Sequence, residues 1–226
     1  MSRSNGECVY CGQMGRLTSD HVIPRCVFPK PRPQDMLTVR ACNDCNNQKS
    51  NHDDFLRDLL VTDLFGAESE PAKKLFDKVQ RSFGRDQSLM QRTMENSKIV
   101  DVPMPDGESI SADAAKFGLD RANEMLTFIV KGLYFNVVGS RLPPESIFNF
   151  SRLLPTDMFE NLKRIEELKP SRFLIGDGAV FDCIYVTGRD GISLWILQFF
   201  GSVWFRIMTG PPGLKMPRNK RPPWET

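Results

Sequence analysis

Two Cys-x-x-Cys pairs, Cys8/Cys11 and Cys42/Cys45, constrain this chain more than any other feature of it. The two-residue spacer lets both thiolates of a pair reach one ion with little strain. Two such pairs about 30 residues apart specify a tetrahedral four-cysteine site, and structural Zn2+ is the ion that this donor set suits best. A redox reading needs a Cys-x-x-Cys set between the strand and helix of a βαβ unit, and neither pair has that setting. Residues 1–52 are rich in Cys, Pro, Asn and Arg and poor in helical periodicity. Such a segment buries little apolar surface, so a metal has to substitute for a core. Cys26 and Cys183 stand alone and read as ordinary packing or loop thiols.

From Asp53 the pattern changes. DDFLRDLLVTDLF spaces Phe55, Leu56, Leu59, Leu60 and Leu64 as a helix, with Asn51 or Asp53 as N-cap and Gly66 as C-cap. Ser69-Glu70-Pro71 opens a second helix that runs to Phe83. Residues 98–110 alternate around a Pro-Asp-Gly turn and predict a hairpin. A long apolar helix is expected from Ala112 to Val138, and two shorter ones from PPESIFNFSRLL and PTDMFENLKRIEEL. FLIGDGAV, FDCIYVTG, ISLWILQFF and VWFRIMTG, separated by Gly-rich turns, predict an antiparallel meander. Trp195, Phe199, Phe200, Trp204 and Phe205 fall in these strands and are expected in the core rather than in a base-stacking surface. The expectation is an α+β chain: a small zinc-stabilised domain over 1–62, then a larger helical and meander domain over 63–226. Its Pro-rich tail, about 211–226, carries Lys215, Arg218, Lys220 and Arg221, a candidate basic arm.

Thirty Lys and Arg against 28 Asp and Glu leave a net charge of +2, too little to coat nucleic acid by bulk electrostatics. Any such binding must come from local placement of charge. MSRSNGECVYCG has no apolar h-region, and ISLWILQFFGSVWF is too short and too polar to span a bilayer. The expectation is a cytoplasmic protein with no membrane partner.

Between the Cys pairs stands Asp20-His21, one of only two histidines in the chain, followed by a Val-Ile-Pro-Arg step that fixes the local backbone. Asn46 directly follows the last Cys, with Lys49 three residues on. A carboxylate, an imidazole and an amide brought together can form a hydrolytic site. The ordered pattern CxxC…TxDHVIPR…CxxCNxxK, over roughly residues 5–60, resembles the HNH endonuclease family. It is similar to the zinc-knuckle members of that ββα-metal class, the phage Holliday-junction-resolving endonucleases among them. The resemblance implies a zinc-stabilised ββα-metal domain that hydrolyses DNA phosphodiesters. It implies His21 as the general base, a role suited to a group titrating near neutral pH. Asp20 and Asn46 would hold one divalent cation, Mg2+ or Mn2+. The middle Asn of the family pattern has no counterpart here: Met36-Leu37-Thr38-Val39-Arg40-Ala41 precedes the second Cys pair. Thr38 and Asp35 are the candidates to orient His21 instead. Arg25, Arg40 and Lys49 are candidate phosphate contacts, which fix register without reading sequence. His52 is a candidate further ligand, with a solvated surface position as its plain alternative. The expected partner is double-stranded or branched DNA. The C-terminal domain is a candidate surface for a homodimer or a partner protein. Two alternatives stay open at this point: a zinc-knuckle nucleic-acid-binding module without catalysis, and a nuclease acting on RNA.

Overall fold

The computed structural model describes residues 4–85, 97–104, 107–115 and 119–217. Strands β1 (Ser4–Glu7), β2 (Met14–His21) and β3 (Thr38–Cys42) form an antiparallel sheet in that order, and a single 3-10 turn (Arg25–Val27) lies between β2 and β3. Helix α1 (Asn43–Thr62) follows β3 without a loop, with Cys42 as its N-cap residue. Helix α2 (Glu70–Arg85) starts after Ser69, whose hydroxyl accepts from the Ala72 N–H at 3.2 Å. Strands β4 (Ser97–Pro103) and β5 (Ser109–Ala115) pair as the expected hairpin. Helix α3 (Leu119–Val138) is the most apolar helix, with Met125, Leu126, Ile129, Val130 and Leu133 all buried. A five-stranded sheet completes the fold: β6 (Ile147–Leu153), β7 (Ser171–Ile175), β8 (Phe181–Thr187), β9 (Ser193–Phe199) and β10 (Val203–Gly210), in the order β6-β10-β9-β8-β7. Helix α4 (Pro155–Glu166) crosses from β6 towards β7. The described residues are thus mixed helix and sheet, and none of their helices is long and apolar enough to cross a membrane.

One cluster of buried apolar side chains runs through both halves of the chain. It joins Val9, Val22 and Phe28 near the Cys pairs to Leu56 and Leu60 of α1, to α3, and to Trp195, Phe199 and Ile207 of the sheet. The opposite face of the sheet packs Ile196 and Trp204 against Met158 and Ile165 of α4. Of the expected aromatic core, Trp195, Phe199, Phe200 and Phe205 are buried, while Trp204 is half-buried under α4.

Three expected elements differ. Helix α1 begins at Asn43 rather than near residue 53, so Asn51 and Asp53 are helix interior and not caps. The segment Asn43 to Asn51 lacks apolar periodicity because its inward stripe is Cys45 and Lys49, buried for reasons other than hydrophobicity. Asp63 is the C-cap residue in place of Gly66, which lies in the turn beyond with its N–H on the Asp63 carbonyl. The long helix starts at Leu119, since residues 112 to 115 belong to β5. PPESIFNFSRLL carries strand β6 instead of a helix, and the stacked rings of Phe148 and Phe150, 5.8 Å apart, show the two-residue repeat of a strand face. In the tail, Lys215 is exposed, and Arg218, Lys220 and Arg221 lie outside the described residues.

Candidate functional site

Cys8 and Cys11 sit in the turn between β1 and β2, while Cys42 ends β3 and Cys45 lies in the first turn of α1. The register places Cys42 opposite Leu17, which brings the second pair alongside the first. All four sulfurs lie within 4.8 Å of one another, and Cys11 Sγ is 3.8 Å from Cys42 Sγ. A tetrahedral ion with metal–sulfur bonds of ~2.3 Å spaces its sulfurs roughly 3.8 Å apart. The four cysteines are therefore placed to hold one metal ion. The Cys42 N–H donates to Cys8 Sγ at 3.3 Å. Burial opposes ionisation of Cys8, but backbone N–H groups of Cys42, Cys11 and Tyr10 outweigh it and hold the thiol down at about 7. Cys26 and Cys183 are not in this group. Cys183 is fully buried, and Cys26 donates to the Asp53 carbonyl at 3.1 Å, its thiol pushed up to about 12 by burial.

Asp20 and His21 end β2 on opposite sides of the sheet, since side chains alternate along a strand. Asp20 turns inward and is buried, taking the Tyr10 hydroxyl on Oδ2 at 2.6 Å. Lys49, which α1 carries one turn after Cys45, is 1% exposed. Its Nζ donates to the His21 carbonyl at 2.7 Å and stands 3.5 Å from Asp20 Oδ2 and 3.6 Å from Asp53 Oδ1. Lys49 was expected to meet phosphate, but at this depth it compensates buried carboxylates and has no solvent-side face to offer. Asn46 donates from Nδ2 to the Thr18 hydroxyl at 2.9 Å. Thr18 and Asp20 share one face of β2, so the Asn46 amide reaches the same strand face two residues before the carboxylate.

His21 is half-buried, and its Nδ1 is buried without a hydrogen-bond partner among the described residues. Burial, then the cations Arg25, Lys49 and Arg32, lower its pKa against the opposing pull of Asp20, favouring neutral imidazole. Neither candidate orienting residue bonds the ring. Thr38 faces His21 across the β2–β3 ladder, but no bond reaches Nδ1. Asp35 instead accepts from the Gly176 N–H, at 3.1 and 3.0 Å to its two oxygens.

Arg25 is exposed on the 3-10 turn. Arg40, on β3, donates to the Leu17 carbonyl at 3.3 Å and is half-buried. His52 lies on the α1 face towards α3, where Nδ1 accepts from Arg121 Nε at 3.0 Å and Nε2 is 3.1 Å from Glu124 Oε2. Both nitrogens are thus engaged in joining two helices, and the ring is neither a further metal ligand nor free surface.

Comparison with family models, curated proteins and solved structures returns no match for this chain. The site's chemistry rests on its own geometry.

Three residues that the sequence did not single out belong to this site: Tyr10, Asp53 and Arg32. The Lys49/Asp53 pair is legible as an i,i+4 ion pair once the helix is known to start at Asn43. Tyr10, inside the first Cys-x-x-Cys, and Arg32, between two prolines and donating to the Arg25 carbonyl at 2.9 Å, carry no sequence signal of their role. Beside the cysteines, a cleft of about 310 Å3 lies between the first pair, α1 and α3, lined by Tyr10, Cys11, Cys45, Glu124, Lys131 and Arg141. Asp20, His21 and Asn46 are not among its walls.

Proposed function

We propose that this protein is an HNH-type endonuclease that hydrolyses DNA phosphodiester bonds, with a structural zinc ion in the Cys8/Cys11/Cys42/Cys45 cluster. The observation that carries the reading is the Asn46–Thr18 hydrogen bond, 2.9 Å long, which sets a helix-borne amide beside the strand ending in Asp20-His21. Strand, strand and helix in that order are what a ββα-metal site requires. Four thiolates with a donated N–H bond suit Zn2+, which needs no redox chemistry and accepts tetrahedral sulfur. A chain that keeps such thiols reduced belongs in a reducing compartment such as the cytoplasm.

In the proposed mechanism His21, neutral at working pH, takes a proton from the attacking water at Nε2, since Nδ1 is buried. Arg25 and Arg32, whose charges both act on the His21 ring, hold the phosphate in line with that water. For a catalytic Mg2+ or Mn2+ the residues present fit in part. Tyr10 and Lys49 meet Asp20 at Oδ2, and Asn46 donates from Nδ2, so the Asp20 carboxylate and the Asn46 amide oxygen are the two ligands proposed for a cation. Two oxygens are enough for an ion that completes its shell with water and substrate phosphate. When bound, the ion would supply neutralisation of charge on the phosphorane and the leaving oxygen.

The test compares native protein with His21→Ala on supercoiled plasmid, in Mg2+ or Mn2+ and in EDTA, with an RNA substrate in parallel. The expected result is nicking by the native protein only, with about one zinc per chain in both proteins. Equal nicking by both proteins refutes His21 as base. Tight DNA binding without nicking selects the binding-module reading, and cleavage of RNA alone selects an RNA nuclease.

A further inference from the structure

Something must fix the general base, because Nδ1 of His21 has no partner among the described residues and the residues expected to orient it do not reach it. We infer that Lys49 is the positioning residue: its buried ammonium ties the His21 peptide and the Asp20 carboxylate to helix α1. The inference rests on the nuclease reading for its catalytic consequence, but its structural content stands apart from it.

Three facts carry it. First, Lys49 is 1% exposed, and an ammonium taken out of water is tolerated only where its donors are used. Second, its shortest contact, 2.7 Å, is to the carbonyl of His21 itself rather than to a carboxylate. A hydrogen bond from a charged donor to that carbonyl pins the peptide carrying the imidazole. Third, the same ammonium lies 3.5 Å from Asp20, whose Oδ2 also takes the Tyr10 hydroxyl at 2.6 Å. Asp20 is therefore held from two sides, by the first Cys pair's turn and by α1. Lys49 also lies one helical turn from Cys45, so the cysteine cluster and the base are held by consecutive turns of one rigid element.

The chain has two histidines, so its carbon–proton NMR spectrum holds two imidazole Cε1–H signals, one for each ring. His52, clamped by Arg121 and Glu124, is the internal reference. Lys49→Met is compared with native protein and Lys49→Arg, each checked for folding by circular dichroism and for zinc content. The expected result for Lys49→Met is a shifted, broadened His21 ring signal beside an unchanged His52 signal. Nicking then falls about 100-fold in kcat, with KM changed by less than about threefold, as for a misplaced reacting group. Lys49→Arg, which keeps the charge and a donor, recovers part of both. An unmoved His21 signal in folded Lys49→Met overturns the inference and leaves Lys49 as charge balance only. A raised KM with native kcat also overturns it, since loss of positioning falls on kcat. If native protein cleaves nothing, the nuclease reading fails, and the ring spectra still decide whether Lys49 holds His21. Should Lys49→Met not fold, Lys49→Met/Asp53→Asn, which leaves one fewer buried carboxylate unpaired, carries the same measurements.

Discussion

Asp53 shares the Lys49 ammonium with Asp20 and has the poorer part of it. Its Oδ1 is buried without a hydrogen bond, whereas Asp20 also has the Tyr10 hydroxyl. Burial raises the Asp53 carboxyl from 3.8 to about 6, with Lys49 pulling the other way. A folded-state value above the unfolded one means that the folded protein keeps a proton the unfolded chain has lost. The stabilisation from this group is whole below the unfolded value, declines as pH rises between 3.8 and about 6, and is gone above that. Asp53→Asn removes the titration, so its melting temperature relative to the native chain should climb as pH goes from 4 to 7. Parallel melts at several pH values check this, and a difference that stays flat or shrinks would contradict the assigned shift. The cysteines and Lys49 mark how far single positions were legible. Cys8, Cys11, Cys42 and Cys45 converge because ligand spacing is a local property of the chain. The depth of Lys49 depends on contacts between α1 and β2, 28 residues apart, which no local pattern encodes.

At the scale of elements, the apolar periodicity of Phe55 to Leu60 located the second half of α1 and missed the first. The reason is physical: a stripe built from a metal-ligand thiol and a buried ammonium has no hydrophobic period to read. The same holds for β6, whose Phe148 and Phe150 fit either element until β10 supplies the pairing. The meander was legible because each of its turns carries Gly at the strand ends, with the positive φ of Gly191 and Gly201 that few other residues adopt. Helix α3 packs closely on the segment after β2. A Cβ at Gly132 would come 2.7 Å from Cγ2 and 2.8 Å from Cγ1 of Val22, which is fully buried and stiff at χ1. Gly→Ala in an open helix gains about 1 kcal/mol. Overpacking a core costs about 1–3 kcal/mol. Gly132→Ala should therefore lose on the order of 1 kcal/mol in urea unfolding, the packing cost prevailing over propensity. In a Val22→Ala background the same substitution should be neutral or stabilising. A loss that persists there would place the strain elsewhere.

For the whole molecule, the expected boundary at residue 62 coincides with the end of α1, yet the apolar core passes through it. Two polar ties cross the same boundary: His52 of α1 joins Arg121 and Glu124 of α3, and Asp35 caps the turn before β8 through the Gly176 N–H. Calorimetry should show one transition for the intact chain. Cys42→Ser or a strong chelator should lower that single transition rather than split it, since metal binding is linked to folding. Two separated transitions, with only the earlier one sensitive to chelator, would show that the halves unfold independently. The shared core also has a consequence in time. During synthesis both Cys pairs leave the ribosome long before Trp195 and Ile207 exist to cover Val22 and Phe28. At ~5–20 residues per second that interval is on the order of 10–30 s. Through it the four thiols stand in a chain without its core, so an ion taken up by them then would be bound before the fold that covers it is complete.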